Sequence, residues 1–127
     1  MISVVDFHFC KTVTFDPATR AIGFEDFFTE LIAPKLPLRL DRLHLALELR
    51  FVDPVNNYLE AAIIYRQRQI FRSAPRQLTV LNVSEGELGI QIDIPDVVFQ
   101  EYGSYQVQIF FDKIPIHSAS LLIKKAL

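Results

Sequence analysis

Leu43-His44-Leu45-Ala46-Leu47-Glu48-Leu49-Arg50-Phe51 alternates large apolar side chains with small or polar ones. A period of two puts Leu43, Leu45, Leu47, Leu49 and Phe51 on one face of a β-strand. In a helix the same five residues would be spread around the circumference, and no buried stripe would form. The period therefore outweighs the helix preference of leucine and decides for strand.

The pattern recurs on both sides. Asp53-Pro54-Val55-Asn56-Asn57 reads as a turn, since Pro presets φ and Asn tolerates left-handed backbone. Leu59, Ala61, Ile63 and Tyr65 resume the alternation as a hairpin partner for the first strand. Val5, Phe7 and Phe9 alternate with Asp6 and His8. Ile90, Ile92 and Ile94 alternate with Gln91 and Asp93, and Pro95-Asp96 closes that run. Tyr105, Val107, Ile109 and Phe111 alternate with Gln106, Gln108 and Phe110. Asp112-Lys113-Ile114-Pro115 then turns the chain into a last strand through Ser118–Lys124. Strands divided by turn signals, with no long helix-period segment between them, predict a sandwich or barrel and exclude βαβ units. Phe24, Phe27, Phe28, Leu31 and Ile32 keep helical spacing ahead of Pro34, yet Gly23 suits a bulged strand. We read Ala21–Phe28 as strand, with room for one short helical turn near Glu30. Ala33–Leu40, with Pro34 and Pro37, reads as a connection. Gln67–Gln77 and Ser84–Gly89 read as longer loops, each able to hold a short edge strand.

Length and composition bound the rest. The chain has 127 residues, half of them hydrophobic and eleven of them Phe. This predicts a single domain over 1–127 that buries about two thirds of its unfolded surface, enough to fold without a metal or disulfide. The formal net charge is −2, so the basic excess of a sequence-independent nucleic-acid binder is missing. Arg66, Arg68, Arg72 and Arg76 form one basic stretch, broken by Ile70 and Phe71, and read as a solvated strand edge or loop. Cys10 is the only cysteine, so no intrachain disulfide forms. The first residues read as a strand rather than a signal peptide, and no apolar run reaches the roughly 20 residues of a membrane span. The expectation is a soluble, cytoplasmic chain with no nucleic-acid or membrane partner.

Glu101-Tyr102-Gly103-Ser104-Tyr105-Gln106-Val107 narrows the fold. It resembles the tyrosine corner of immunoglobulin-like domains, in which a Tyr hydroxyl bonds back to backbone a few residues upstream. Tyr105 takes that part, with Gly103 as the small residue and Glu101 as the acidic one. Val107 stands where antibody domains carry their second Cys, and the chain has no Trp, so the antibody type is excluded. The expected fold is all-β, an immunoglobulin-like antiparallel β-sandwich of about seven to nine strands. The chain also resembles a family of small bacterial domains of unknown function. The resemblance rests on Asp6, Gly23-Phe24, Pro37, Leu43–Phe51 followed by Asp53-Pro54, and the hairpin from Tyr102-Gly103-Ser104-Tyr105 through Phe111-Asp112-Lys113-Ile114-Pro115. It implies a β-sandwich and supplies no activity or catalytic residue. Ile114 departs from the pattern, where a glycine is commoner.

Candidate chemistry is thin. His8 and Cys10 share a strand face, and with His44 and His117 they comprise the nitrogen and sulfur donors a zinc site would use. The same pair has the residue types of a nucleophile–base couple, without a third group or an oxyanion hole. Asp53, Glu85, Glu87, Asp93 and Asp96 lie near turns but lack the spacing of a calcium loop. The four glycines are isolated, so no phosphate loop exists. Ser118 and Ser120 lie on a strand outside any nucleophile elbow. We therefore assign no catalytic, cofactor-binding or metal residue and expect no cofactor. Phe24, Phe27, Phe28, Phe99, Tyr102 and Phe110 exceed what one inner face needs and point to an apolar patch. The favoured function is a non-catalytic interaction or structural module that self-associates or binds another protein through a sheet edge or that patch. The rival is a small-ligand or metal-binding domain, hydrolytic in one version.

Overall fold

A computed structural model describes residues 2–81 and 84–126. Ten strands follow one another: β1 (Ile2–Asp16), β2 (Ala21–Phe28), β3 (Glu30–Ala33), β4 (Leu38–Val52), β5 (Val55–Tyr65), β6 (Arg68–Arg72), β7 (Arg76–Val80), β8 (Glu85–Phe99), β9 (Gly103–Phe111) and β10 (Ile114–Lys125). No helix forms among the described residues. One sheet has the order β2-β1-β4-β8; the other has β3-β10-β9-β5-β6, with β7 also on β5. β1, β4 and β8 hold the places of strands A, B and E of an immunoglobulin sandwich, and β5, β9 and β10 those of C, F and G. The fold is an immunoglobulin-like all-β sandwich. The loop read at Gln67–Gln77 supplies β6 and β7, which raises the count to ten.

The five residues that opened the sequence reading are all buried, and Leu45 and Leu49 are fully so. They form one core with Ile63, Val107, Ile109, Leu121 and Ile123 of the opposite sheet. Burying each such side chain is worth about 1.5–3 kcal/mol. β5 is not, however, the hairpin partner of β4. Both sides of β4 are taken, by β1 and by β8, while β5 pairs β9, β6 and β7. The chain changes sheet at Asp53 (φ 72°) and Pro54, and Val55, Asn56 and Asn57 already belong to β5. A period-two pattern says that a strand has a buried face; it does not say which strand lies beside it.

Two further details differ from the sequence reading, and a third agrees with it: Ala21–Phe28 is strand β2, with no helical turn at Glu30. A bulge between Val4 and Asp6 makes Val5 the extra residue, so it is 41% exposed while Ile2 is buried. Pro95-Asp96 does not end β8; the strand continues to Phe99. Asp96 has φ 51°, and its buried face shifts by one residue, from Ile94 to Val97. β4 shifts with it, from Leu43 to Leu40, so the ladder keeps its register. The helical spacing of Phe24–Ile32 arises because the chain changes sheet: Phe28 pairs Phe9 in the first, and Leu31 pairs Ile123 in the second. Between β9 and β10, Asp112 (φ 49°) and Lys113 (φ 68°) make a two-residue turn with both φ positive, the type that matches strand twist. Ile114 is already strand, which is why no glycine is needed there.

The tyrosine corner is present. Tyr105 is 1% exposed, and its hydroxyl donates to the Glu101 carbonyl at 2.7 Å and accepts the Glu101 N–H at 3.2 Å. The ring stacks on Tyr65 (4.4 Å between centroids) and meets the edge of Phe99 (4.9 Å). Gly103 takes φ 129°, and a Cβ there would come within 3.3 Å of the Tyr65 hydroxyl, which itself donates to the Tyr102 carbonyl. At the other end of the molecule β1 leaves β4. Their last pair is Cys10 with His44, whereas β1 and β2 stay paired to Asp16 and Ala21. The hairpin beyond Cys10 is thus a two-stranded arm.

Candidate functional site

Register brings together three residues that lie far apart in sequence. Cys10 pairs His44 across β1 and β4, and His44 pairs Asp93 across β4 and β8. His44 Nδ1 lies 2.7 Å from Asp93 Oδ1, which also accepts a bond from Gln91 Nε2 at 2.7 Å; Arg42 stands 3.9 Å from Oδ2. Burial pushes the Asp93 carboxyl up, and the bonds from Gln91 and His44, with the charges of His44 and Arg42, outweigh it and hold the group below the usual carboxylate range. The row has the residue types of a thiol nucleophile, a base and its orienting acid. Its geometry is different. Cys10 is buried and its thiol points to the His44 carbonyl oxygen at 3.9 Å. Burial raises the thiol above its ordinary range, and the Asp93 charge adds to the rise. Nucleophilic cysteines have the opposite environment, one that favours the thiolate.

The other histidines do not join this row. His8 lies 2.9 Å from Asp6 and stacks on Phe27 at 4.4 Å, and His117 packs against Phe7 from the second sheet. The zinc candidates therefore divide between two sheets. Among the described residues no group of three or more His, Cys, Asp or Glu side chains is placed to hold a metal ion. Four of the five acidic candidates are strung along β8 from Glu85 to Asp96, about 36 Å at strand rise, and Asp53 lies between β4 and β5. Hydrogen bonds with Arg50 and Glu48 hold Glu87 below the usual carboxylate range. Asp53 donates its N–H to the Ser84 carbonyl. Ser118 and Ser120 both bond Gln106 on the outer face of the second sheet. The basic stretch is dispersed as well. Arg66 lies over the Tyr65 ring, and Arg72 bonds Glu60 at 2.8 Å and covers Phe110. Of the aromatic set, Phe99 is fully buried, Tyr102 donates to the Ala33 carbonyl at 3.0 Å, Phe24, Phe28 and Phe110 are half-buried, and Phe27 is 54% exposed.

Concavity appears instead where the sandwich is open, along β8. This strand pairs β4 alone and ends its sheet. Arg76 donates to the Gln91 carbonyl, so at Gln91 the backbone points away from β4. In an antiparallel strand that direction repeats at every second residue, which puts the N–H and C=O groups of Gly89 and Asp93 on the same open side. Pro95 follows in the same phase, at a place where an edge strand loses no ladder bond to it. Opposite this edge lie β6 and the link to β7. Two cavities occupy the gap. One of about 680 Å³ is lined by Tyr65, Arg68, Phe71, Asp96, Val97 and Tyr105 among others; one of about 490 Å³ by Leu59, Phe71, Arg76, Ile92, Asp93 and Pro95 among others. Phe71 floors both. Arg68 and Arg76 stand on one rim, and Asp93 and Asp96 on the other. Among the described residues no buried side-chain nitrogen or oxygen lacks a hydrogen-bond partner, so the groove offers backbone and apolar surface rather than an orphaned polar group.

A family model, that of the family of unknown function DUF6941, matches residues 6–124. The chain belongs to this family. No curated protein matches the DUF6941 chain in sequence. Among solved structures it is similar to the Pseudomonas fluorescens alkylpurine DNA glycosylase AlkC bound to DNA containing an abasic site analogue, with a TM-score of 0.53 and 12% identity over 97% of this chain. It is also similar to a β-glucosidase from Listeria innocua, with a TM-score of 0.56 and 8% identity over 99%. The DUF6941 chain spans 30% and 16% of those two proteins, and at such identities the likeness is one of fold. An immunoglobulin-like protein from Pseudomonas aeruginosa aligns over 98% of this chain and 97% of its own, at 11% identity and a TM-score of 0.46.

Proposed function

We propose that this domain is a non-catalytic protein-interaction module that takes an extended segment of another chain alongside β8. The observation that carries the reading is the open side of β8, which pairs no strand beyond β4: the Gln91 carbonyl takes a side-chain bond from Arg76 in place of a ladder bond, and Asp93, in the same phase, lines the groove. An added strand would exchange backbone hydrogen bonds with this edge, each worth about 0.5–1.5 kcal/mol net. Its inward side chains would fall over Phe71 and Leu59, and its outward ones beside Gln91 and Asp93. Affinity would come from the backbone ladder and preference from the two cavities. The raised Cys10 thiol supports a role without nucleophilic chemistry.

Selection from a displayed library of unstructured peptides tests this. Enriched peptides should shift the amide resonances of Gly89, Gln91 and Asp93 and lose binding to Gln91→Pro, which removes one edge-facing N–H. An unchanged thermal midpoint would show that the variant is folded. Peptides that bind Gln91→Pro as tightly, or that shift residues of the outer faces, would overturn the reading.

A further inference from the structure

The groove beside β8 ends at a positive charge. Arg76 opens β7, opposite Leu59 of β5, and its guanidinium reaches across to the Gln91 carbonyl on the other sheet. From there the groove runs past Asp93 and Pro95 to Asp96 and Glu101, over Phe71. The charges along it are unevenly met. Asp93 is answered by His44 and Arg42, and Arg72 by Glu60. Arg76 meets only a neutral carbonyl, and its other guanidinium N–H groups bond nothing among the described residues. At the far end Arg68 shares the larger cavity with Asp96 and Glu101, one cation to two carboxylates. The groove is thus positive at its Gln91 end and negative at its Glu101 end.

We infer that the segment this groove takes is a chain terminus whose free α-carboxylate is held by Arg76. The inference rests on the strand-binding reading proposed above. A strand that lies antiparallel to β8 and enters from the Glu101 end reaches Arg76 at Gln91. There the guanidinium already holds the acceptor that a longer strand would need. A chain that ends at this point needs no further acceptor and supplies the missing anion. An acidic side chain within a continuing strand would bring the charge without the stop. Carboxylate–guanidinium bonds are about twice as strong as neutral ones, and the Gln91 N–H, on the same open side, adds a second kind of donor. Asp96 lies five residues beyond Gln91, about 17 Å at strand rise, so a Lys or Arg about five residues before the terminus completes the charge match.

Two displayed libraries of random peptides test this, one with free C-termini and one fused at both ends. The free-ended library should yield binders and the fused one should not. The tightest binder, synthesised as the C-terminal acid and as the amide, should bind about tenfold more weakly as the amide. Arg76→Gln should bind acid and amide equally weakly with an unchanged thermal midpoint, and Arg76→Lys should keep part of the preference. Equal yield from the fused library, equal binding of acid and amide by the wild-type chain, or an acid preference that survives Arg76→Gln would overturn the inference and leave the strand-binding reading standing. Binders from neither library would overturn both.

Discussion

Replacing Tyr105 with Phe removes one oxygen from the β8–β9 corner and leaves the ring in place. That oxygen makes two bonds, both to the backbone of Glu101. Two bonds at about 0.5–1.5 kcal/mol each would total about 1–3 kcal/mol. Glu101 is itself exposed, so water can reach its freed groups, and the cost belongs near the lower end, about 1–1.5 kcal/mol. Truncation to Ala would also remove the ring packed on Tyr65 and Phe99 and cost about 3–5 kcal/mol. For a chain of this length 1–1.5 kcal/mol corresponds to a fall of about 4–6 °C in the thermal midpoint. Urea titration of both proteins should give lower transition midpoints with an unchanged slope. Burial pushes the Tyr105 phenol above its usual range, so its contribution is complete below about pH 10 and is lost as pH rises through the folded-state value. Tyr105→Phe should lack that alkaline loss. A change under about 0.3 kcal/mol, or an alkaline profile identical to wild type, would refute the corner as a source of stability.

Burial alone lowers the His117 pKa, so the folded state resists protonation more than the unfolded chain does. Stability should be complete above about pH 6.5 and fall on acidification below it; His117→Gln should flatten that part of a pH series of urea midpoints. Gly103→Ala should destabilise by about 1–3 kcal/mol, because φ 129° and the Tyr65 hydroxyl both oppose a Cβ; an unchanged calorimetric midpoint would contradict this. The buried Cys10 thiol should react with Ellman's reagent only after denaturant is added, and rapid native-state labelling would show a more open outer face than the structure has.

Residues close in sequence carried their own structural instructions. The Leu43–Phe51 alternation reads correctly as a strand because side-chain direction along an extended backbone is a local property. The Tyr105 corner was legible for a similar reason, since hydroxyl and acceptor are four residues apart. The Asp112-Lys113 turn was only half so: the sequence marks a turn there, but its type depends on two φ angles that pairing with the flanking strands selects.

What lay beyond the sequence was decided by pairing. The same alternation that identifies β4 and β5 as strands is compatible with a hairpin or with a sheet change, and only the competition of β1 and β8 for the sides of β4 settles it. The candidate site is the extreme case. Gln91 and Asp93 were visible as the polar positions of a strand, but neither the open side of that strand nor the groove facing β6 has any local signature. Cys10, His44 and Asp93 likewise become neighbours through the register of three strands. Sequence alone determined which stretches are extended and which of their faces are apolar, because those follow from backbone geometry and hydrophobicity one residue at a time. The tertiary structure decided which edges stay open and which apolar faces stay uncovered, because both depend on contacts among segments distant in the chain.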